Sequence, residues 1–105
     1  MKSEQKIQAE IVQALQGAGL YFFSVPNEAA GRSAVAQMQL IAMGLRSGCS
    51  DLVVLTPPTV IFLEVKTPDG KQSENQKKFQ KKVESMGYRY EIVRSVEDAM
   101  AVIEK

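Results

Sequence analysis

The sequence predicts an α/β fold, a small mixed sheet flanked by helices in the order αβαββαβα. Three observations lead there. Segments with apolar residues at helical spacing alternate with short β-branched and aromatic runs. A serine stands ahead of each helical segment as a candidate N-cap. The stretch Thr59–Thr67 is apolar on both alternating sides, as a central buried strand is. With 105 residues, 45% of them hydrophobic, the chain reads as a single domain over residues 1–105 with a core to bury.

The elements follow in order. Ser3 caps a helix running to about Gln16, stopped by Gly17 and Gly19, with Ile7, Ile11, Ala14 and Leu15 as its apolar stripe. Leu20–Val25 reads as a strand ended by Pro26, and Asn27–Arg32 as a loop. Ser33 caps a helix over Ala34–Met43, after which Gly44, Gly48 and Ser50 mark turns. Strands Leu52–Thr56 and Thr59–Thr67 join through Pro57 and Pro58. Pro68, Asp69 and Gly70 form a turn, and Ser73 opens a helix to about Met86, closed by Gly87. Tyr88–Arg94 alternates as a strand, and Ser95 caps a last helix to about Ile103.

Composition removes several chemistries. The chain has no histidine, which excludes histidine general bases, Ser-His-Asp and Cys-His sites and His-ligated zinc or copper. The single cysteine, Cys49, cannot form an intrachain disulfide or a paired-cysteine metal site and reads as a small packed residue in a reducing compartment. The absence of tryptophan argues against a large base-stacking platform. The apolar runs Leu52–Leu55 and Val60–Leu63 fall far short of the ~20 residues of a membrane span. No apolar signal core follows the first residues, so the expected location is the cytoplasm. Whatever chemistry remains must use carboxylates, lysine, hydroxyls or backbone.

Glu64 and Lys66 supply it. They interrupt an otherwise apolar central strand and, two residues apart, project to one face. Charges are rarely buried without partners, so two on an inner strand need a reason. A turn centred between Pro57 and Pro58 pairs Thr56 with Thr59, Leu52 with Leu63 and Asp51 with Glu64. Neither proline takes the positive φ of a tight type I′ turn, which leaves room for a wider loop; a symmetric one keeps this register and a bulge shifts it. Asp51, Glu64 and Lys66 then form one cluster. Two acids held together suit Mg²⁺ or Mn²⁺, with the remaining positions taken by water and phosphate oxygens. A lysine beside them can orient an attacking water or neutralise developing charge, which suffices for phosphodiester hydrolysis.

Asp51, then twelve residues, then Glu64-Val65-Lys66 resembles the PD-(D/E)xK nuclease signature. The surroundings are more specific. Glu10 in the first helix, Val25-Pro26-Asn27-Glu28, Gly48-Cys49-Ser50-Asp51-Leu52, Phe62-Leu63-Glu64-Val65-Lys66-Thr67 and Ser73-Glu74-Asn75-Gln76-Lys77-Lys78-Phe79 together resemble the stand-alone VRR-NUC domain, over about residues 4–104. Ser50 departs from the family's usual proline, a change that bears on loop rigidity. The resemblance implies a restriction-endonuclease-like fold and Mg²⁺-dependent cutting of DNA, with Mn²⁺ as substitute. It implies Asp51, Glu64 and the Val65 carbonyl as metal ligands, Lys66 as catalytic lysine, and Glu10 as an acid aiding the metal. Gln76 matches a family position near the site, and equally fits an S-x-x-Q capping box with Ser73. Stand-alone members are similar to Holliday-junction resolvases acting as homodimers in phage or bacterial replication and repair. The alternatives are a catalytically silent DNA-binding module, and a nuclease of duplex, flap or single-stranded DNA.

Residues 71–82 carry Lys71, Lys77, Lys78, Lys81 and Lys82 against Glu74 alone, a local charge of +4 in a chain of net +1. The last four share one helical arc opposite Phe79, Val83 and Met86. Such an arc is commonly a solvated face; next to a metal site it becomes a phosphate-contacting one. Asn27, Arg32 and Arg46 are further loop candidates for DNA contact. Nothing suggests base-specific readout.

Overall fold

The computed structural model describes residues 2–25, 33–44, 46 and 48–104. Its elements are α1 (Glu4–Gly17), β1 (Tyr21–Ser24), α2 (Ala34–Ala42), β2 (Leu52–Thr56), β3 (Thr59–Val65), α3 (Glu74–Ser85), β4 (Arg89–Val93) and α4 (Val96–Ile103), the expected order. Each helix begins at the expected serine: the hydroxyls of Ser3, Ser33, Ser73 and Ser95 accept the amides of Lys6, Ala36, Gln76 and Asp98.

The sheet runs β1-β2-β3-β4, antiparallel except for the parallel β3–β4 pair. Between β2 and β3 the register is the expected one, from Thr56 opposite Thr59 to Leu52 opposite Leu63. The loop is no wider than two residues, since Thr56 pairs directly with Thr59, and its Pro57–Pro58 peptide is cis.

Several ends differ from expectation by one or two residues, and three of them have local reasons. Leu20 is outside β1 because its amide closes α1 on the Leu15 carbonyl. β3 stops at Val65, and the Thr67 carbonyl is taken by the Gly70 amide of the next turn. Met86 follows the last residue of α3 as its C-cap and is exposed rather than packed with Phe79 and Val83.

The main core lies between the sheet and the α1–α4 pair. Ile7, Ile11 and Leu15 of α1 and Ala99 and Val102 of α4 meet Leu52, Val54, Ile61, Leu63, Val65 and Val93. The other sheet face is covered by α3, whose Phe79 packs edge-on to Phe62 at 5.5 Å between centroids and against Tyr90 at 6.0 Å. By strand alternation Glu64 and Lys66 belong to that second face. The fold therefore carries two charges on the side α3 overlies.

Candidate active site

Asp51 immediately precedes β2. Its amide donates to the Leu63 carbonyl at 3.1 Å, one residue off the ladder, and its carbonyl accepts the Val25 amide at 2.9 Å. The ladder therefore ends at Leu52, and Asp51 does not continue it opposite Glu64. Instead the Asp51 Oδ2 atom accepts the Val65 amide at 2.7 Å. The cause is geometric: β3 has a backbone donor to satisfy where β2 has already ended. Asp51 still reaches the expected stretch of β3, through its side chain.

Glu64 is fully buried, and neither of its carboxylate oxygens accepts a hydrogen bond among the described residues. The Lys66 ammonium stands 3.3 Å from Glu64 Oε2, and Lys66 as a residue is only 8% exposed. Burial raises the Glu64 pKa; Lys66 and the nearby Gln72 amide oppose this without overcoming it. Burial also raises Asp51, against the pull of the Val65 amide, and the Glu4 carboxylate pushes in the same direction. Cys49 beside them is raised by burial as well, as expected of an inert packed thiol.

Glu10, the acid expected to aid the metal, has another partner in this structure. Glu10 is bound by Lys2, whose ammonium lies 2.8 and 2.9 Å from its two oxygens. It lines a hollow with Pro68, Arg94 and Ser95 instead of joining Asp51. The α1 carboxylate whose field reaches Asp51 is Glu4. Six residues apart, the two point about 120° away from one another around the helix. Glu4 was readable from sequence only as a first-turn acid of the kind helix dipoles favour.

Gln76 completes a capping box: its Oε1 accepts the Ser73 amide at 2.8 Å while the Ser73 hydroxyl accepts the Gln76 amide at 3.2 Å. The helix start is fixed against the loop before Asp51. Gly48 has φ +79°, and a Cβ there would collide with the Asn75 carbonyl and lie 2.7 Å from the Gln76 amide nitrogen. Ser50, at the position the resemblance gives to proline, is fully buried and donates to the Leu52 carbonyl at 3.2 Å. Gln72, missed in the sequence because it is an ordinary loop glutamine, donates to Gln80 Oε1 at 2.9 Å beside Tyr90.

Lys71, Lys77, Lys78, Lys81 and Lys82 are all exposed, and Lys77 pairs with Glu74 at 3.4 Å. Arg46 shares a hollow with Asn75, Lys78 and Lys82. Asn27 and Arg32 lie outside the described residues.

A family model for the VRR-NUC domain matches residues 2–97. The chain belongs to the VRR-NUC family. A solved structure described as a VRR_NUC domain protein superposes with a TM-score of 0.76 at 14% identity, covering 98% of this chain and 86% of that one. A second, described as a VRR_NUC domain, gives 0.67 at 21% identity, covering 98% and 97%. No curated protein matches the chain. A VRR-NUC domain is a nuclease-type domain, and its partner is DNA. No helix among the described residues is long and apolar enough to cross a membrane, and the lone cysteine leaves no intrachain disulfide.

The VRR-NUC site can be tested for a divalent cation on its own geometry. Among the described residues no three Asp, Glu, Cys or His side chains gather as a metal set. Two do suffice for Mg²⁺, which keeps several waters and takes one or two carboxylates plus phosphate oxygens. The buried Glu64 carboxylate accepts no hydrogen bond among the described residues and has the Lys66 ammonium as its ion-pair partner, a burial cost that a second cation would relieve further. The donor set of Glu64, Asp51 and the Val65 carbonyl is all oxygen, as a hard cation requires. The residues fit.

Proposed function

We propose that this VRR-NUC domain is a Mg²⁺-dependent endonuclease, with Mn²⁺ able to substitute, that hydrolyses phosphodiester bonds in branched, Holliday-junction-like DNA. It acts as a homodimer in the cytoplasm of a bacterial cell, encoded by phage or bacterium. The observation that carries the reading is buried Glu64, ion-paired with the Lys66 ammonium at 3.3 Å and accepting no hydrogen bond among the described residues. A module that only binds DNA has no use for a buried acid that destabilises it.

In this reading Asp51, Glu64 and the Val65 carbonyl would hold the ion, which when bound would supply phosphate polarisation and an acidified water. Lys66 orients the attacking water toward phosphorus and offsets charge developing on the phosphoryl oxygens. Val65 keeps Asp51 aimed through the amide bond to Oδ2. Glu4, not Glu10, is the α1 carboxylate near enough to influence Asp51. Gln76 works by fixing the start of α3. Arg46, Lys78 and Lys82 contact the DNA backbone, with Lys71, Lys77 and Lys81 extending the basic surface.

Two paired incisions by a chain with one site require two copies. An uncovered apolar helix supports this: α2 buries no side chain, and Val35, Met38 and Ile41 are 65, 68 and 56% exposed.

The deciding experiment is cleavage of a labelled four-way junction beside duplex, flap and single-stranded DNA, with Mg²⁺, Mn²⁺ or EDTA. Lys66→Ala serves as the blank. Metal-dependent cuts on the junction, absent in the blank, support the reading. Cuts chiefly on another DNA replace the substrate, and binding without cleavage under either metal makes the silent module the account.

A further inference from the structure

Arg94 follows the last residue of β4 and turns toward the segment that leaves β3. Its Nη1 atom lies 2.6 Å from the Thr67 carbonyl oxygen, 2.8 Å from that of Gly70 and 3.3 Å from that of Pro68. The base of the side chain is anchored too, the Arg94 amide donating to Asp98 Oδ2 at 2.9 Å. One guanidinium thus gathers the carbonyls of the turn that the Gly70 amide closes onto Thr67 at 2.9 Å.

That turn lies against Lys66. A Cβ built on Gly70 would stand 3.4 Å from Lys66 Cδ and 3.1 Å from Thr67 Oγ1. The Lys66 stem, just past the end of β3, is therefore flanked by the turn. A lysine stem is flexible and keeps its ammonium in one place only where such walls remove its other rotamers.

We propose that Arg94 is a positioning residue for Lys66: by holding the Thr67–Gly70 turn it keeps the Lys66 ammonium beside Glu64. The proposal rests on the nuclease reading for its consequence in catalysis, and Arg94 itself touches no substrate. The acceptors gather at Nη1, one atom beyond the end of a lysine side chain. Arg94→Lys therefore keeps the charge and loses the reach.

The test uses Arg94→Lys and, as a second variant, Gly70→Ala, which keeps the Arg94 side chain and crowds the Lys66 stem from the turn that Arg94 holds. Three quantities are read: single-turnover cleavage with Mg²⁺, DNA Kd in EDTA, and the ¹³Cε resonance of Lys66 at fixed pH in metal-free protein. Lys66→Arg assigns that resonance, and thermal unfolding reports the fold. The expected result for Arg94→Lys is a cleavage rate lower by roughly ten- to a hundredfold, as misplacement near an ångström gives. The DNA Kd stays unchanged, and the Lys66 resonance moves toward those of the exposed lysines. Gly70→Ala moves rate and resonance without changing the Kd. Folded Arg94→Lys with both rate and Lys66 resonance unchanged overturns the proposal. Should Arg94→Lys fail to fold, a folded Gly70→Ala with rate and Lys66 resonance unchanged overturns the proposal, because the turn then does not hold Lys66. Should the wild type cut no DNA, the nuclease reading fails by itself, and the resonance decides whether Arg94 positions Lys66.

Discussion

The Asp51 carboxylate accepts the Val65 amide at 2.7 Å, so the acid that ends one strand completes the hydrogen bonding of the next. Structural and chemical duties of Asp51 are therefore separable by substitution. Asp51→Asn retains a side-chain oxygen for the Val65 amide but loses the charge; Asp51→Ala loses both. In urea unfolding Asp51→Asn is expected to match or exceed the wild type, whereas Asp51→Ala loses about 1–3 kcal/mol for a donor left unpaired. Both are expected to lose DNA cleavage. Retained cleavage in Asp51→Asn would remove Asp51 from the metal set.

How far the sequence reaches is clear from the same corner. The β2–β3 register was legible because a Pro-Pro turn and two apolar runs leave one symmetric pairing, and Leu52 does oppose Leu63. The departure at Asp51 was not, since it depends on which donor lacks a partner once β2 ends. Glu64 and Lys66 were legible as charges in an apolar strand. The choice between Glu4 and Glu10 was not, because both lie on one helix and only its docking angle decides which acid approaches the site. Gln76 was legible in both its roles as a motif, and the capping geometry is present. Arg94 gave no signal, since its work is done on backbone carbonyls of a turn remote in sequence.

Glu64 gives the protein a pH signature in the absence of metal. Its pKa in the folded chain is raised by burial, above the usual carboxylate value near 4.3 in the unfolded chain. The folded state then binds the proton more tightly, so the contribution to stability is fully present below the unfolded pKa. It is lost as pH rises through the folded pKa. In EDTA, the midpoint of thermal unfolding is expected to fall from mildly acidic pH to neutral, with Asp51, also raised, adding to the trend. Glu64→Gln should flatten the dependence. Mg²⁺ should raise the wild-type midpoint at neutral pH and leave Glu64→Gln little changed.

Gly48 joins the loop ahead of Asp51 to the first turn of α3. Its φ of +79° and the backbone of Asn75 and Gln76 both exclude a side chain. Gly48→Ala is expected to cost about 1–3 kcal/mol from conformational strain, with the steric clash added. Cleavage should fall further than stability alone explains, because displacing the loop moves Asp51. A stable and fully active Gly48→Ala would show that the loop and α3 are not held together by this approach.

Lys78 and Lys82 share a hollow with Arg46 on the exposed side of α3. If they meet phosphates, Lys78→Ala with Lys82→Ala weakens DNA binding and lowers the slope of log K against log salt by roughly 2, about one unit for each lost contact. Thermal stability should not change, since both side chains are exposed. Lys77 provides a contrast, being paired with Glu74 at 3.4 Å, and Lys77→Ala is expected to move the slope less. An unaltered slope in the double variant would take α3 out of the DNA interface.

Helix α2 sets the last expectation. Nine residues of isolated helix are marginal in water, and helices of this length are held by packing an apolar face. Val35, Met38 and Ile41 form that face at a spacing of three residues and are exposed. Between two copies of a chain whose net charge is only +1, repulsion is weak, and the face can be shared. Met38→Glu with Ile41→Glu is therefore expected to shift the protein to a monomer in sedimentation at every concentration tested. Paired incision of a four-way junction should then be lost while single nicks persist, because each copy retains Asp51, Glu64 and Lys66. A wild type that sediments as a monomer at low and high concentration would count against the resolvase assignment and leave a single-cut nuclease.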